Sequence, residues 1–227
     1  MSEARRASSE RSGASPRRSR AELRTELAET TRQNILDVAT QEFADKGLAG
    51  ARIDEIAERT DSSKRMIYYY FGGKDGLYRA VLERAYAGIR ARESEQRFDS
   101  MGAEEALAEL VRHTFAYHDE HPEFVRLVMN ENILRGANMA DIEGIKARNK
   151  RVVATIEAIL ARGVAEGIFR EGIDPLSLHL TMSALSFYCV SNRYTIAAGF
   201  GFDLGKKAVK ARRLEDIVAT VLASVRA

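Results

Sequence analysis

Apolar residues recur at three- and four-residue spacing along most of the chain, and the places where that period breaks mark out a succession of helices. Ile35, Val38, Ala39 and Phe43 predict a helix over roughly residues 27 to 46. Leu23 and Leu27 extend the pattern backwards, and Gly47 can supply a left-handed stop. The stretch "RIDEIAERT" predicts a second, short helix ending near Thr60. Ile53, Ile56 and Ala57 form its apolar seam, and Asp54 and Glu55 suit the positive end of the helix dipole. Asp61 and Ser62 then read as a tight turn, and Ser63 is a good N-cap for a helix that runs to Phe71.

That third helix carries "SSKRMIYYYFGG". At about 100° per residue, Tyr70 and Phe71 share a side with Ile67, whereas Arg65 and Tyr69 point away. The aromatic run therefore splits into a core half and an outward half, the latter comprising Lys64, Arg65, Tyr68 and Tyr69. Two cations and two phenols on one exposed helix face suit phosphate oxygens and base edges in a DNA major groove. Gly72 ends the helix, Gly73 precedes the next, and Lys74 in its first turn marks a helix N-terminus suited to a DNA phosphate. Leu77, Val81, Leu82, Ala85 and Ile89 carry this fourth helix onward as a mechanical link.

Further helices are expected over residues 103 to 119, from Pro122 to about Arg135, and from about Asp141 to Glu166, where Gly167 stops the run. Asp174 and Pro175 open another through about Ala198, and a last one covers residues 212 to 226. Leu176, Leu180, Ala184 and Phe187 lie on one side of the 176 to 198 helix, with Leu178, Leu185, Tyr188 and Ile196 elsewhere around it. Such a helix is buried on more than one side, as a partner subunit and a pocket together would require. A single reading helix covers few base pairs, so two-fold pairing through the last two long helices is the expected way to lengthen the site.

Composition bounds the class. With 227 residues, 45% hydrophobic, 30% charged and three prolines, the chain has the material for an all-α globular protein. The single cysteine, Cys189, excludes an intrachain disulfide, and the absence of a secretion signal or an uninterrupted apolar span reads as a cytoplasmic, non-membrane protein. Net charge is only +2, but its distribution is uneven. Residues 1 to 20 hold six arginines against two glutamates, while residues 21 to 79 hold nine cations against eleven acids. The chain thus divides into a basic, flexible arm over residues 1–26, a helix-turn-helix domain over 27–75 and a helical effector-binding and dimerisation domain over 76–227.

The segment "IDEIAERTDSSKRMIYYYFGGKDGLY", residues 53 to 78, resembles the DNA-binding domain of TetR-type transcriptional regulators. The resemblance rests on Ile56-Ala57, the cap Ser63, Tyr68-Tyr69-Tyr70-Phe71 and Lys74. Departures fall at Asp61, Ser62 and Gly73, where the family usually has Gly, an apolar residue, and Ser or Asn. The resemblance implies an operator-binding homodimer, most often a repressor, whose C-terminal domain binds a small-molecule effector. "HPEFVRLVMNENILRG" is similar to a segment in the subset of that family that includes the pyrimidine-utilisation regulator.

The DNA-contacting set on this reading is Arg52, Ser63, Lys64, Arg65, Met66, Tyr68, Tyr69 and Lys74. Lys64, Arg65 and Met66 are the candidates for base readout, and the tyrosines and Lys74 those for backbone positioning. For the effector pocket the candidates are His118, Phe124, Met129, Asn130, Asn149, Tyr188 and Asn192, which combine apolar lining with hydrogen-bonding anchors. The cluster of His113, His118, Asp119, Glu120 and His121 invites a metal or enzyme reading. Its spacing supplies no paired ligand motif and the chain no nucleotide or nucleophile motif, so no metal, cofactor or catalytic residue is assigned. The alternatives to a ligand-responsive repressor are an activator, an architectural DNA-binding protein without effector, and a helical metal-dependent enzyme.

Overall fold

The computed structural model describes residues 19–60, 62–94, 98–140, 142 and 144–227, the side chains of 90–94 excepted, and the described residues are almost entirely helical. In chain order the helices are α1 (Arg20–Gly50), α2 (Ile53–Arg59), α3 (Lys64–Phe71), α4 (Lys74–Ser94), α5 (Ala103–Glu120), α6 (Pro122–Ile133), α7 (Ile145–Ala165), α8 (Pro175–Ser191), α9 (Arg193–Phe200) and α10 (Lys207–Val225). Of the basic arm expected over residues 1–26, residues 1–18 lie outside the described residues and the last part lies within them. There the structure corrects it, because residues 20–26 belong to α1.

A capping box explains the early start of α1. The Glu22 N–H donates to Ser19 Oγ at 3.2 Å, and the Ser19 N–H donates back to the Glu22 carboxylate at 2.6 Å, which holds that carboxyl below its ordinary pKa. Near its other end, Gly47 breaks the helix at positive φ but with extended ψ (φ 66°, ψ 174°), so it kinks α1 instead of closing it with the expected left-handed stop, and the last residues of α1 form an extra turn beyond it.

α1 to α4 close around Ile35, Phe43, Ile56, Ile67, Leu77 and Tyr78, all without solvent exposure. Burying each such aliphatic side chain contributes about 1.5–3 kcal/mol. Leu127 of α6, Ile142 and the first residue of α7, Ile145, complete the same cluster, so the core of the N-terminal end extends past the boundary at residue 75. A second core joins α5, α7, α8 and α10 through Leu107, Val111, Ile156, Met182, Ile217 and Val221. Between the two lies a small third cluster in which Ile89 of α4 meets Tyr117, Phe124, Val125 and Val190.

Two glycines are required by close packing. A Cβ at Gly76 would stand 1.8 Å from the Phe71 carbonyl oxygen, and one at Gly163 would stand 2.0 Å from the Phe169 ring. The first lets α4 start directly against the end of α3. One predicted helix is divided: residues 175 to 198 form α8 and α9, separated at Asn192 (φ −106°, ψ 8°), where the helical dihedrals fail. α7 starts at Ile145, later than predicted, and α10 starts at Lys207, earlier than predicted.

Candidate nucleic-acid interface and effector cavity

α3 is short and closed at both ends. Ser63 Oγ accepts the Met66 N–H at 3.3 Å, and Gly72 ends the helix in the left-handed region at φ 74°. Ile67 is fully buried, while Tyr68 and Tyr69 are 56% and 78% exposed and Lys64 and Arg65 face solvent. Met66, Tyr70 and Phe71 are half-buried. The core-facing and outward halves expected from the helical period are thus the ones observed.

α2 is held to α1 by charge. The buried Glu42 carboxylate of α1 receives Lys46 at 2.9 Å, Arg59 at 3.4 Å and the backbone N–H of Arg52 at 3.4 Å. Lys46 also pairs with Glu55, which raises the Lys46 pKa and lowers that of Glu55. This fixes the backbone of Arg52 and leaves its side chain exposed at the start of α2. Asn34 of α1 donates to the Thr60 carbonyl at 3.3 Å, and the Arg32 guanidinium lies 5.5 Å from the centre of the Phe71 ring. The turn and the end of α3 are therefore both tied to α1.

Two of the sequence candidates are engaged within the chain. Lys64 pairs with Asp54 at 2.7 Å, both ends exposed, and Lys74 donates to the Ala49 carbonyl at 3.2 Å. An exposed pair of that kind is worth about 0–1 kcal/mol, so a phosphate can replace Asp54 at little cost. Ser63 has a structural role as the cap. The Leu77 N–H donates to the Gly73 carbonyl at 2.9 Å, and the first N–H groups of α4 open beside the end of α3.

The effector candidates scatter. His118 and Phe124 come together on a cavity of about 300 Å³ between α5, α6 and α8, with Ile89 of α4 in its wall. Their rings are nearly parallel, 8° apart with centres at 5.9 Å, and Phe187 stands at 90° to His118 at 5.8 Å. Thr114, one turn before His118, and His179 and Ser183 of α8 add polar groups. Sequence reasoning missed these residues along with Phe187. The signal available to it was the spacing of His179, Ser183 and Phe187, four residues apart on a helix read only for its apolar sides.

The other five lie elsewhere. Asn130 donates to the Phe43 and Ala44 carbonyls at 3.1 and 3.4 Å, so it binds α6 to the end of α1. Met129 lies on a smaller cleft of about 180 Å³ between α6, α8 and α9, and Tyr188 on a separate groove of about 690 Å³ between α8, α9 and α10. Asn192 sits at the α8 to α9 break and donates to Ser191 Oγ, and Asn149 is half-buried on α7 away from the cavity lining.

The acidic and histidine cluster is used structurally. Asp119 receives Arg193 at 3.2 Å and Lys210 at 2.7 Å, joining α5 to α9 and α10, while His121 lies 3.0 Å from Glu123. Among the described residues no group of three or more His, Cys, Asp or Glu side chains is placed to hold a metal ion. Nor, among them, is any helix long and apolar enough to cross a membrane.

α4 joins the two sites. Its Leu77, Tyr78, Val81 and Leu82 pack with Ile67 of α3, and Ile89 reaches the cavity. From Lys74 to Ile89 the helix covers roughly 22 Å. Alongside it, Arg126 of α6 donates to Asp45 of α1 at 2.5 Å and to the Tyr194 hydroxyl of α9 at 3.5 Å, and Arg84 pairs with Asp37 at 2.7 Å. Burial and the nearby Glu131 carboxylate push the Tyr78 phenol up, which keeps it neutral in this junction.

Comparison with known proteins agrees with this geometry. Residues 35–81 match the family described as bacterial regulatory proteins, tetR family, and residues 104–221 match the tetracyclin repressor-like C-terminal domain. The HTH-type transcriptional repressor NicS of Pseudomonas putida is 35% identical over 204 residues, spanning 90% of this chain and 96% of NicS. Among solved structures, a TetR family regulator from Marinobacter aquaeolei aligns with a TM-score of 0.67 at 20% identity, covering 89% of this chain and 98% of that one. Bacillus subtilis FadR in complex with stearoyl-CoA aligns at 0.62 and 21% identity, covering 82% and 97%. Helix order, the capped reading helix and both matched regions make this chain a member of the TetR family of DNA-binding transcriptional regulators, not an enzyme.

Proposed function

We propose that the protein is a cytoplasmic repressor that binds an inverted-repeat operator as a homodimer and leaves it when a small molecule fills the α5–α8 cavity. The observation that carries this reading is the division of α3. A fully buried Ile67 anchors the helix, and Lys64, Arg65, Tyr68 and Tyr69 stand exposed on its other side. Arg65, with Lys64 and Met66, reads base edges. Tyr68, Tyr69, Arg52 and Lys74 position the backbone, with Ser63 holding the helix that presents them.

Pairing occurs through α8 and α10. Leu176, Leu180 and Tyr188 of α8 are at least half exposed in the single chain, as a surface awaiting a copy of itself would be. Two α3 helices about 34–36 Å apart then meet successive major grooves on one side of the duplex. Ligand in the cavity presses on Ile89 and favours a position of α4 that alters that separation. Operator and ligand must therefore weaken each other's binding by the same factor.

Selection of binding sites from random duplex DNA tests the reading. Wild type is expected to enrich an inverted repeat. Enrichment of no sequence at low salt would contradict it.

A further inference from the structure

The segment between α8 and α10 carries more apolar surface than its own chain covers. We infer that it is a dimerisation arm, and that the Phe200 ring of each subunit enters the groove between α8, α9 and α10 of a second copy of this chain. This rests on the reading that the subunits pair through α8 and α10, and it adds a contact made from α9.

The arm is the first observation. None of the eight residues of α9 is buried, and a helix that short is marginal in water without a packed face. Tyr194 and Phe200 are 67% and 80% exposed. The segment is nonetheless held in place. Arg193 and Lys210 both pair with Asp119, and Arg126 donates to the Tyr194 hydroxyl at 3.5 Å. Beyond α9, Leu204 is buried and the Asp203 carboxylate accepts the Gly205 N–H at 2.8 Å. A tip already ordered in the free chain loses little freedom when it is captured.

The groove is the second. Tyr188, Ile196, Phe202, Leu204 and Val209 give it apolar walls, and its volume of about 690 Å³ exceeds that of a phenylalanine side chain. Gly201 ends α9 in the left-handed region at φ 64°, and across this turn Phe202 lines the groove whereas Phe200 does not. The exposed Arg212, which also lines it, offers a guanidinium to the face of an incoming ring.

The occupant follows from symmetry and continuity. Tyr188 belongs both to the groove and to the exposed side of α8 through which the subunits pair, so the groove continues that interface. Ring and groove lie on one chain. A two-fold contact therefore seats both tips in both grooves and closes the assembly. A small molecule in the groove would leave Phe200 bare.

Sedimentation of the labelled full-length protein, read as the dimer dissociation constant, tests the inference. Phe200→Ala is expected to raise that constant at least about tenfold, and Ala208→Trp, which fills the groove from an exposed position, should do the same. Ile133→Ala, comparably exposed on α6, should leave it unchanged. Circular dichroism of each variant reports folding. Leu180→Glu tests the α8 pairing separately: a dimer lost in Leu180→Glu but unaffected in Phe200→Ala would sink the arm and keep the pairing. A second measurement reads proximity. With Cys189→Ser in both, a Phe200→Cys preparation mixed with an Ala208→Cys preparation should give more bismaleimide-linked dimer than either alone. The inference is overturned if Phe200→Ala dimerises like wild type, if Ile133→Ala weakens the dimer as much, or if the mixture gives no excess of linked dimer.

Discussion

The reading end and the cavity end are built from different kinds of proximity. Around α3, residues adjacent in sequence supply the cap, the core anchor and the exposed face, and α1 and α2 hold them through the buried Glu42. Around the cavity, α4, α5, α6 and α8 each lend one face, and no two neighbouring helices define it. A local site can be altered one residue at a time with the fold intact. The cavity shares its walls with the packing, so changes there reach stability, ligand and α4 together.

Breaking the reading end at its foundation should have the largest effect. Gly76→Ala places a methyl group against the Phe71 carbonyl and is expected to cost about 3 kcal/mol or more in chemical denaturation, with loss of operator binding. A stability equal to wild type would show that α4 can start elsewhere. Asn130→Ala removes the tie between α6 and the end of α1. A loss of about 1 kcal/mol is expected, together with a weaker effect of cavity ligand on operator affinity, since the two ends are then less firmly joined. Unchanged ligand response would assign the coupling to α4 alone.

The smallest expected effect comes from Glu55→Gln. The Lys46 ammonium holds the Glu55 carboxyl below its ordinary pKa, so the pair stabilises the fold above the unfolded carboxylate value, about 4.3, and is lost as pH falls through the lower folded one. The variant should be slightly less stable than wild type at pH 7, and the two should converge once the pH has fallen through the lowered folded-state value. A difference that persists in acid would mean the side chain acts by packing.

Much of the reading end was legible because its signals are local. Ser63, Gly72 and the period of Ile67, Tyr70 and Phe71 each act within one or two turns. Lys64 and Lys74 were legible as cations but not as partners of Asp54 and Ala49, which lie on other helices. Of the effector candidates, His118 and Phe124 reach the cavity, whereas Asn130 was chosen for chemistry that the α1 carbonyls consume. His179, Ser183 and Phe187 were hidden because the apolar girth of α8 masks which side meets α5. The break at Asn192 carries no Gly or Pro to announce it, and the early start of α1 rests on a capping box outside its apolar pattern.

The central claim is that the outward half of α3 reads DNA sequence while its inner half holds the fold. It is tested most directly by measuring the affinities of wild type and Arg65→Ala for the selected operator and for a scrambled duplex at one salt concentration. Arg65→Ala should fold as stably as wild type, keep its affinity for the scrambled duplex within a small factor, and lose about 1–3 kcal/mol on the operator. An Arg65→Ala protein that prefers the operator as strongly as wild type would contradict the account.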